Sequence, residues 1–242
     1  GAWANDDGGT NAGRAYVFFG GPKADDLADL VLSNVPGGGG FGISVGTAGD
    51  VNGDGYDDVI VGADYNDAGG EDAGQAFLYF GGAAMDAVAD LVLTGEAADD
   101  HFGGSVGTAG DVDGDGFDDF IVGAYGNDAG GTDAGRAYVY FGGLSDLDAT
   151  PDLVVTGPTG GAEFAGEVGT AGDFNGDGYD DFLVGASYEA VAGIGTYVGT
   201  VRLYYGGASP DNVADLRVTG EAAGDQFGGS LGTAGDVNGD GY

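Results

Sequence analysis

The chain has no cysteine in its 242 residues, so neither a disulfide framework nor a zinc–thiolate site can be built, and cysteine usage leaves the redox compartment open. Basic residues are almost as scarce. Five Lys and Arg stand against 41 Asp and Glu, a formal net charge of −36. That balance disfavours nucleic-acid phosphate and anionic membrane surfaces as partners, and it suits divalent cations. No apolar run is long enough to cross a bilayer, so no membrane insertion is expected. A single histidine, His101, leaves no material for a Ser-His-Asp set. No Asn-x-Ser/Thr sequon occurs, which removes one eukaryotic secretion clue without excluding secretion. The chain opens at Gly1 with neither Met nor a signal peptide, which reads as a mature product or a segment. Helical spacing is also rare, the best candidate being a short turn at residues 86–89.

What the chain does have is glycine, 57 residues of it, and with five prolines this brings low-complexity disorder into the prior. Against disorder, hydrophobic residues reach 42%, and Gly and Asp are concentrated at fixed places between apolar runs. One spelling returns four times: Asp50-Val-Asn52-Gly-Asp54-Gly-Tyr56-Asp-Asp58, Asp111-Val-Asp113-Gly-Asp115-Gly-Phe117-Asp-Asp119, Asp173-Phe-Asn175-Gly-Asp177-Gly-Tyr179-Asp-Asp181, and the shorter Asp236-Val-Asn238-Gly-Asp240-Gly-Tyr242. The first aspartates are 61, 62 and 63 residues apart, and so regular a period marks a repeat architecture.

Each period holds four extended segments, seen in the second repeat as 102–110, 119–124, 136–141 and 152–156. They are short, rich in Val, Ile, Tyr and Phe, and bounded by Gly, Asp and Pro, which is the signature of strands and turns. The second and third are nearly continuous apolar runs, as in strands covered on both faces. The first carries Gly and Ser instead, as a crowded inner strand would. The expected fold is all-β: a β-propeller of four-stranded antiparallel blades, about 62 residues per repeat, as a segment of a larger propeller or repeat array. The expected division is 1–40 (the end of a blade), full repeats at 41–101, 102–163 and 164–226, and the start of another at 227–242. Between Tyr242 and Gly1 the pattern lacks five residues, so completion by a longer array or by a neighbouring copy is expected.

Phe41-Gly42, Phe102-Gly103, Phe164-Ala165 and Phe227-Gly228 open the units, and Gly62-Ala63, Gly123-Ala124 and Gly185-Ala186 follow the Asp loops. This succession resembles the FG-GAP repeat of the integrin α-subunit propeller and its bacterial relatives, over essentially the whole chain. Two departures stand out: the proline of Gly-Ala-Pro is replaced by Asp64, Tyr125 or Ser187, and Ala165 stands for one glycine. The repeats resemble one another more than those of animal integrins do, which suggests recent duplication and a bacterial secreted protein. The resemblance implies that the Asp loops lie opposite the ligand-binding face. That face would then be formed by residues 64–74, 125–135 and 187–199 together with 95–101, 157–163 and 220–226.

The loops read as calcium sites. Calcium takes six to eight oxygens in a flexible shell. In the first loop Asp50, Asn52 and Asp54 offer side-chain oxygens at positions 1, 3 and 5, Gly55 permits the sharp turn, Tyr56 offers its carbonyl at position 7, and a bidentate Asp58 completes six. The corresponding sets are Asp111, Asp113, Asp115, Phe117 and Asp119; Asp173, Asn175, Asp177, Tyr179 and Asp181; and Asp236, Asn238 and Asp240. Asp57 falls between ligand positions and is read as solvent-facing or bonded to turn amides. Carboxylates about 4 Å apart at an effective dielectric near 20 repel by roughly 4 kcal/mol per pair, so an empty loop is strained and a divalent ion reverses the sign. An ordinary Asx-Gly turn would not need acids at positions 1, 3, 5 and 9 together. An EF-hand or dockerin loop needs an acid at position 12, where Val61, Val122 and Val184 stand. An RTX roll needs nonapeptide repeats, which are absent.

Among other residues, His101 (Gly40, Glu163 and Gln226 elsewhere) is read as a surface residue with no catalytic role. Tyr79-Phe80, Tyr140-Phe141 and Tyr204-Tyr205 are read as blade packing. Arg14, Arg136 and Arg202 are expected to pair with local acids, and Trp3, Tyr65, Tyr125 and Tyr188 to lie near strand exits. The function expected is an extracellular or cell-surface, calcium-binding, non-enzymatic propeller module for adhesion or structural assembly. Its expected partners are a protein or glycan ligand at the cell surface or matrix, and other copies of itself. A lectin or carbohydrate-active enzyme on the same scaffold is the alternative; an enzyme needs a unique constellation, whereas these polar residues recur in each repeat.

Overall fold

A computed structural model describes residues 1–22, 24–33, 39–144, 147–235 and 237. Among these, β1 (Ala15–Val17) and β2 (Leu30–Leu32) form a two-stranded sheet. Three four-stranded sheets follow: β3 (Val45–Gly49), β4 (Asp58–Ala63), β5 (Gln75–Tyr79) and β6 (Leu91–Thr94); β7 (Phe102–Gly110), β8 (Asp119–Ala124), β9 (Arg136–Tyr140) and β10 (Leu153–Thr156); β11 (Glu167–Gly172), β12 (Asp181–Ala186), β13 (Thr200–Tyr204) and β14 (Leu216–Thr219). Each is an antiparallel meander whose strands pair in chain order. The chain is all-β, and its sheets have the strand order of propeller blades.

The expected turn at 86–89 is a bend in which Asp86 accepts the Val88 amide (2.8 Å). The one helical turn among the described residues is a 3-10 turn at Asp67–Gly69, where Asn66 accepts the Ala68 amide. It was hidden in sequence because its acids and glycines read as loop.

The middle strands are buried along nearly their whole length, and each hydrophobic core lies between two sheets. Ile60, Ala76, Leu78 and Leu93 of one sheet meet Phe102, Val106, Phe120, Val122 and Tyr140 of the next. One repeat further on, Ile121, Ala137, Val139 and Val155 meet Phe164, Val168, Phe182, Val184 and Tyr204. The aromatic pairs take part as expected, with Phe120 stacked on Tyr140 and Phe182 on Tyr204, both at 5.0 Å. The buried member of each pair is the first; Phe80 and Phe141 are only partly covered.

The inner strands explain their own composition. Ser44 and Ser105 each accept the backbone amide of a valine on the next inner strand, Val106 and Val168, at 3.1 Å. The glycine of Val-Gly-Ala lies against the backbone of the following unit. A Cβ on Gly62, Gly123 or Gly185 would strike the carbonyl of Gly103, Ala165 or Gly228 respectively. No side chain fits there.

This close approach gives a direct test. Gly123→Ala adds one methyl, yet it should lower the chemical-denaturation midpoint about as much as Phe120→Ala, for which a loss of roughly 3–5 kcal/mol is expected. Phe80→Ala, at a partly exposed position, should cost clearly less. A neutral Gly123→Ala would show that the sheets can part without loss.

Candidate metal loops and the opposite face

Each Asp loop joins the first two strands of a sheet, and a threonine and a glycine set its entrance. Thr47 Oγ1 accepts the Gly49 amide (3.1 Å) and donates to the Asp58 carbonyl (3.4 Å), while Gly49 sits at φ +81° where the register shifts. Thr108 and Thr170 do the same. The sequence reading passed over these threonines, although Thr-Ala-Gly precedes every loop.

Inside the loop the carboxylates fold the backbone around themselves. In loop 1 Asp50 accepts the amides of Asp54 and Gly55, Asn52 accepts Asp54, and Asp54 accepts Tyr56, all at 2.9–3.0 Å. Loop 2 is closed in a similar way, Asp111 accepting Gly114 and Gly116, Asp113 accepting Asp115 and Asp115 accepting Phe117, and loop 3 by Asp173, Asn175 and Asp177. Gly55, Gly116 and Gly178 stand at φ +90° to +94°, a left-handed turn that a side chain would strain. The result converges oxygens on one point: carboxylate oxygens of Asp111, Asp113 and Asp115 lie within 4.8 Å of one another. No arginine neutralises them, because Arg14 pairs with Asp7, Arg136 with Glu96, and Arg202 and Arg217 with Glu189. An all-oxygen, anionic donor set of this kind fits a hard divalent cation.

The ninth position is placed differently from the other ligand positions. Asp58, Asp119 and Asp181 are fully buried, and Asp119 is not part of the converging trio. One oxygen of each accepts an amide at the loop start (Val51, Val112 or Phe174), and the other accepts an amide beyond the third strand (Gly81, Gly142 or Gly206), at 2.7–3.1 Å. The side chain thus brackets the loop onto its sheet. Burial pushes Asp58 up to about 6 and Asp119 up to about 8, with nearby loop carboxylates adding to the rise; Asp181 is raised for the same first reason. Tyr56, Phe117 and Tyr179 enter the loops through their backbone. Asp236, Asn238 and Asp240 lie outside the described residues.

Antiparallel pairing sends the 64–74 and 95–101 connections to the end of the sheet opposite the Asp loop, and likewise in the other repeats. The two connections of each unit are bonded together: Asp99 and His101 donate to the carbonyls of Glu71 and Asp72, Gly161 and Glu163 to Thr132 and Asp133, Gly224 and Gln226 to Thr196 and Tyr197. Trp3, Tyr65 and Tyr188 are exposed there, and Tyr188 meets exposed Tyr197 edge-on at 5.5 Å.

His101 corrects the surface reading. Its ring stacks on Tyr125 (4.7 Å, 7°) and meets Tyr65 edge-on (5.4 Å), and its Nδ1 is buried. Consecutive repeats place an aromatic residue after Gly-Ala, or one residue later, and these two close over it. Beside it, Asp64 is 4% exposed with Oδ1 unpaired. Burial pushes its carboxyl up to about 6, against a lowering by His101 and a 3.5 Å hydrogen bond from Tyr125.

For Asp64 the folded pKa exceeds the unfolded value of 3.8. The folded state therefore binds the extra proton, and the stability it adds is complete below pH 3.8 and lost as pH rises through about 6. Asp64→Asn should consequently be more stable than the parent at pH 8 by about 1–3 kcal/mol, and the gap should close by pH 4. Thermal melts across that range check this; a gap that is constant with pH would refute it.

FG-GAP repeats match the chain at 41–79, 102–140 and 165–204, each spanning the first three strands of one four-stranded sheet. Integrin alpha-5 of Xenopus laevis is 35% identical over 156 residues, 60% of this chain and 14% of that protein. Integrin alpha-PS2 of Drosophila melanogaster is 38% identical over 110 residues (43% and 8%), and human integrin alpha-7 is 35% identical over 151 residues (61% and 12%). The chain thus matches about a seventh or less of the length of these relatives. With three matched units falling on three successive sheets, the chain belongs to the FG-GAP repeat family, as a propeller segment of the integrin α-like kind.

Proposed function

We propose that this chain is a calcium-stabilised segment of an extracellular β-propeller that serves adhesion or structural assembly, without catalysis of its own. The observation that carries the reading is the convergence of Asp111, Asp113 and Asp115 in a loop whose backbone amides are already folded around those side chains. Asp50, Asn52 and Asp54 would hold the ion in loop 1, and Asp173, Asn175 and Asp177 in loop 3. The carbonyls of Tyr56, Phe117 and Tyr179 and the second lone pairs of Asp58, Asp119 and Asp181 would add to the shell, and Asp236, Asn238 and Asp240 would form a fourth site. The ion supplies positive charge among like-charged groups, so its role is to hold the first hairpin of each blade.

The outer face of the last sheet supports the reading as a segment. Val218 is 45% exposed, whereas its counterparts Leu93 and Val155, covered by a following sheet, are at 1%. A further blade, from the same protein or a second copy, would cover it. The repeat boundaries 1–40, 41–101, 102–163, 164–226 and 227–242 follow on this reading. Ligand binding is assigned to the connections opposite the loops, with a protein ligand at the cell surface or matrix as first choice by kinship with integrin α chains. The exposed Tyr188–Tyr197 pair favours glycan as the second reading, since aromatic faces stack on sugars.

Chelation should lower the melting temperature, and calcium should restore it with the concentration dependence of a ligand that binds only the folded state. Asp115→Ala should remove one equivalent of calcium from a titration and leave the others. An unchanged melting curve in excess chelator would sink the proposal. A glycan array probed with and without calcium decides between the two ligand classes.

A further inference from the structure

The eighth position of loops 2 and 3, which falls between the expected ligand positions, joins each of these loops to the one before it. The Asp50 amide donates to Asp118 Oδ2 (2.8 Å), and the Asp118 amide donates back to the Asp50 carbonyl (3.3 Å). One repeat on, the Asp111 amide donates to Asp180 Oδ2 and the Asp180 amide to the Asp111 carbonyl, both at 3.0 Å. A ring reinforces each clasp: Phe117 covers Gly53 so closely that a Cβ there would collide with it, and Tyr179 covers Gly114 in the same way. A third tie runs from the Gly143 amide to the Val51 carbonyl and from the Gly207 amide to the Val112 carbonyl, both at 2.8 Å. Residues 7 and 8 of one loop therefore hold residues 1 and 4 of the loop before it. Asp57 and Tyr56 occupy the same two places in loop 1 and are exposed.

We propose that Asp118 and Asp180 are positioning residues that couple adjacent calcium loops, so that an ion in one loop tightens binding in the loop before it. This rests on the calcium reading of the loops. An ion held by the carbonyl of Phe117 fixes the peptide that leads into Asp118. That residue in turn fixes the backbone carrying Asp50, the first ligand of loop 1. The preceding loop then has less ordering to do when its own ion arrives. Charge acts the other way, since a neighbouring cation weakens the pull on the next one, but solvent and salt screen that effect with distance while the clasp is a direct contact. By linkage, loading loop 1 tightens loop 2 by the same factor.

The test is a calcium titration of the whole chain followed by ¹⁵N–¹H NMR at Gly55, Gly116 and Gly178. Their amides each donate to the first carboxylate of their own loop and so report the three loops separately. Asp118→Ala should raise the calcium concentration needed at Gly55 by about five-fold or more, shift Gly116 in the same direction, and move Gly178 least of the three. Asp118→Asn keeps an oxygen facing the Asp50 amide and should recover most of the loss, whereas Asp57→Ala should change none of the three. Disabling loop 2 with Asp115→Ala should weaken Gly55 as well, and should do so no further once Asp118 is alanine. A Gly55 midpoint that is the same in the parent, in Asp118→Ala and in the loop-2 variant overturns the coupling while leaving the metal sites standing. Silence of all three glycines on adding calcium overturns the metal reading, and the coupling with it.

Discussion

Adjacent sheets meet backbone to backbone, and the rest of the structure is arranged around that distance. Where Gly62 lies against Gly103, or Gly123 against Ala165, there is no room for a single methyl. The close approach at the inner strands lets a serine of one sheet reach an amide of the next. It also lets phenylalanines and tyrosines from one blade pack against the apolar face of its neighbour. A propeller blade has no hydrophobic core of its own; its core is the seam it shares. The glycine that keeps the seam narrow governs the packing of every larger residue along it.

The acidity of the chain has a structural use in satisfying the backbone. Asp29, Asp90, Asp152 and Asp215 recur beside the last strand of each sheet, and each accepts the amide that follows the third strand, from Phe19, Phe80, Phe141 or Tyr205. The ninth-position acids accept two amides apiece, and the eighth-position acids reach into the preceding loop. A glycine-rich chain has many turns and hence many backbone donors outside its ladders, and a buried donor must find a partner. Short carboxylates meet that need at a fixed place in every repeat. Much of the net charge is the by-product of closing turns.

Most of this was legible in the residues. Period, strand positions and blade order follow from apolar runs broken by Gly and Asp, because a strand covered on both faces must be apolar throughout. The second repeat shows it: 102–110, 119–124 and the start of 136–141 are the strands observed. The Asp loops were legible as tight turns between the first two strands because the same acids and glycines return at fixed spacing. What escaped was pairwise. Nothing in Asp118-Asp119 distinguishes the bracket buried beneath its own loop, Asp119, from the hand that reaches the preceding one, Asp118. His101 read as a surface residue because its uniqueness among the repeats was visible and the two tyrosines that enclose it, 36 residues before and 24 after, were not. Contacts between repeats depend on how far one sheet is rotated on the next, and periodicity carries no record of that.

The sameness of the seams has a consequence for how such a chain can change in length. Each sheet presents one face that fits the following unit and another that fits the preceding one, and the two interior seams use largely equivalent residues, Arg202 lying over Phe164 where Tyr138 meets Phe102. Recombination between misaligned repeats adds or deletes a whole unit at matching positions. The joint it makes is close to one the molecule already contains, with the glycine and the stacked ring in register and the inner-strand serine kept except where Glu167 takes its place. Gain or loss of a blade therefore asks for no new side chain at the point of insertion. Divergence in such a lineage is free to concentrate in the connections that no seam constrains, as in the 187–199 segment, which is two residues longer than its counterparts and carries Tyr197 in place of Asp72 and Asp133.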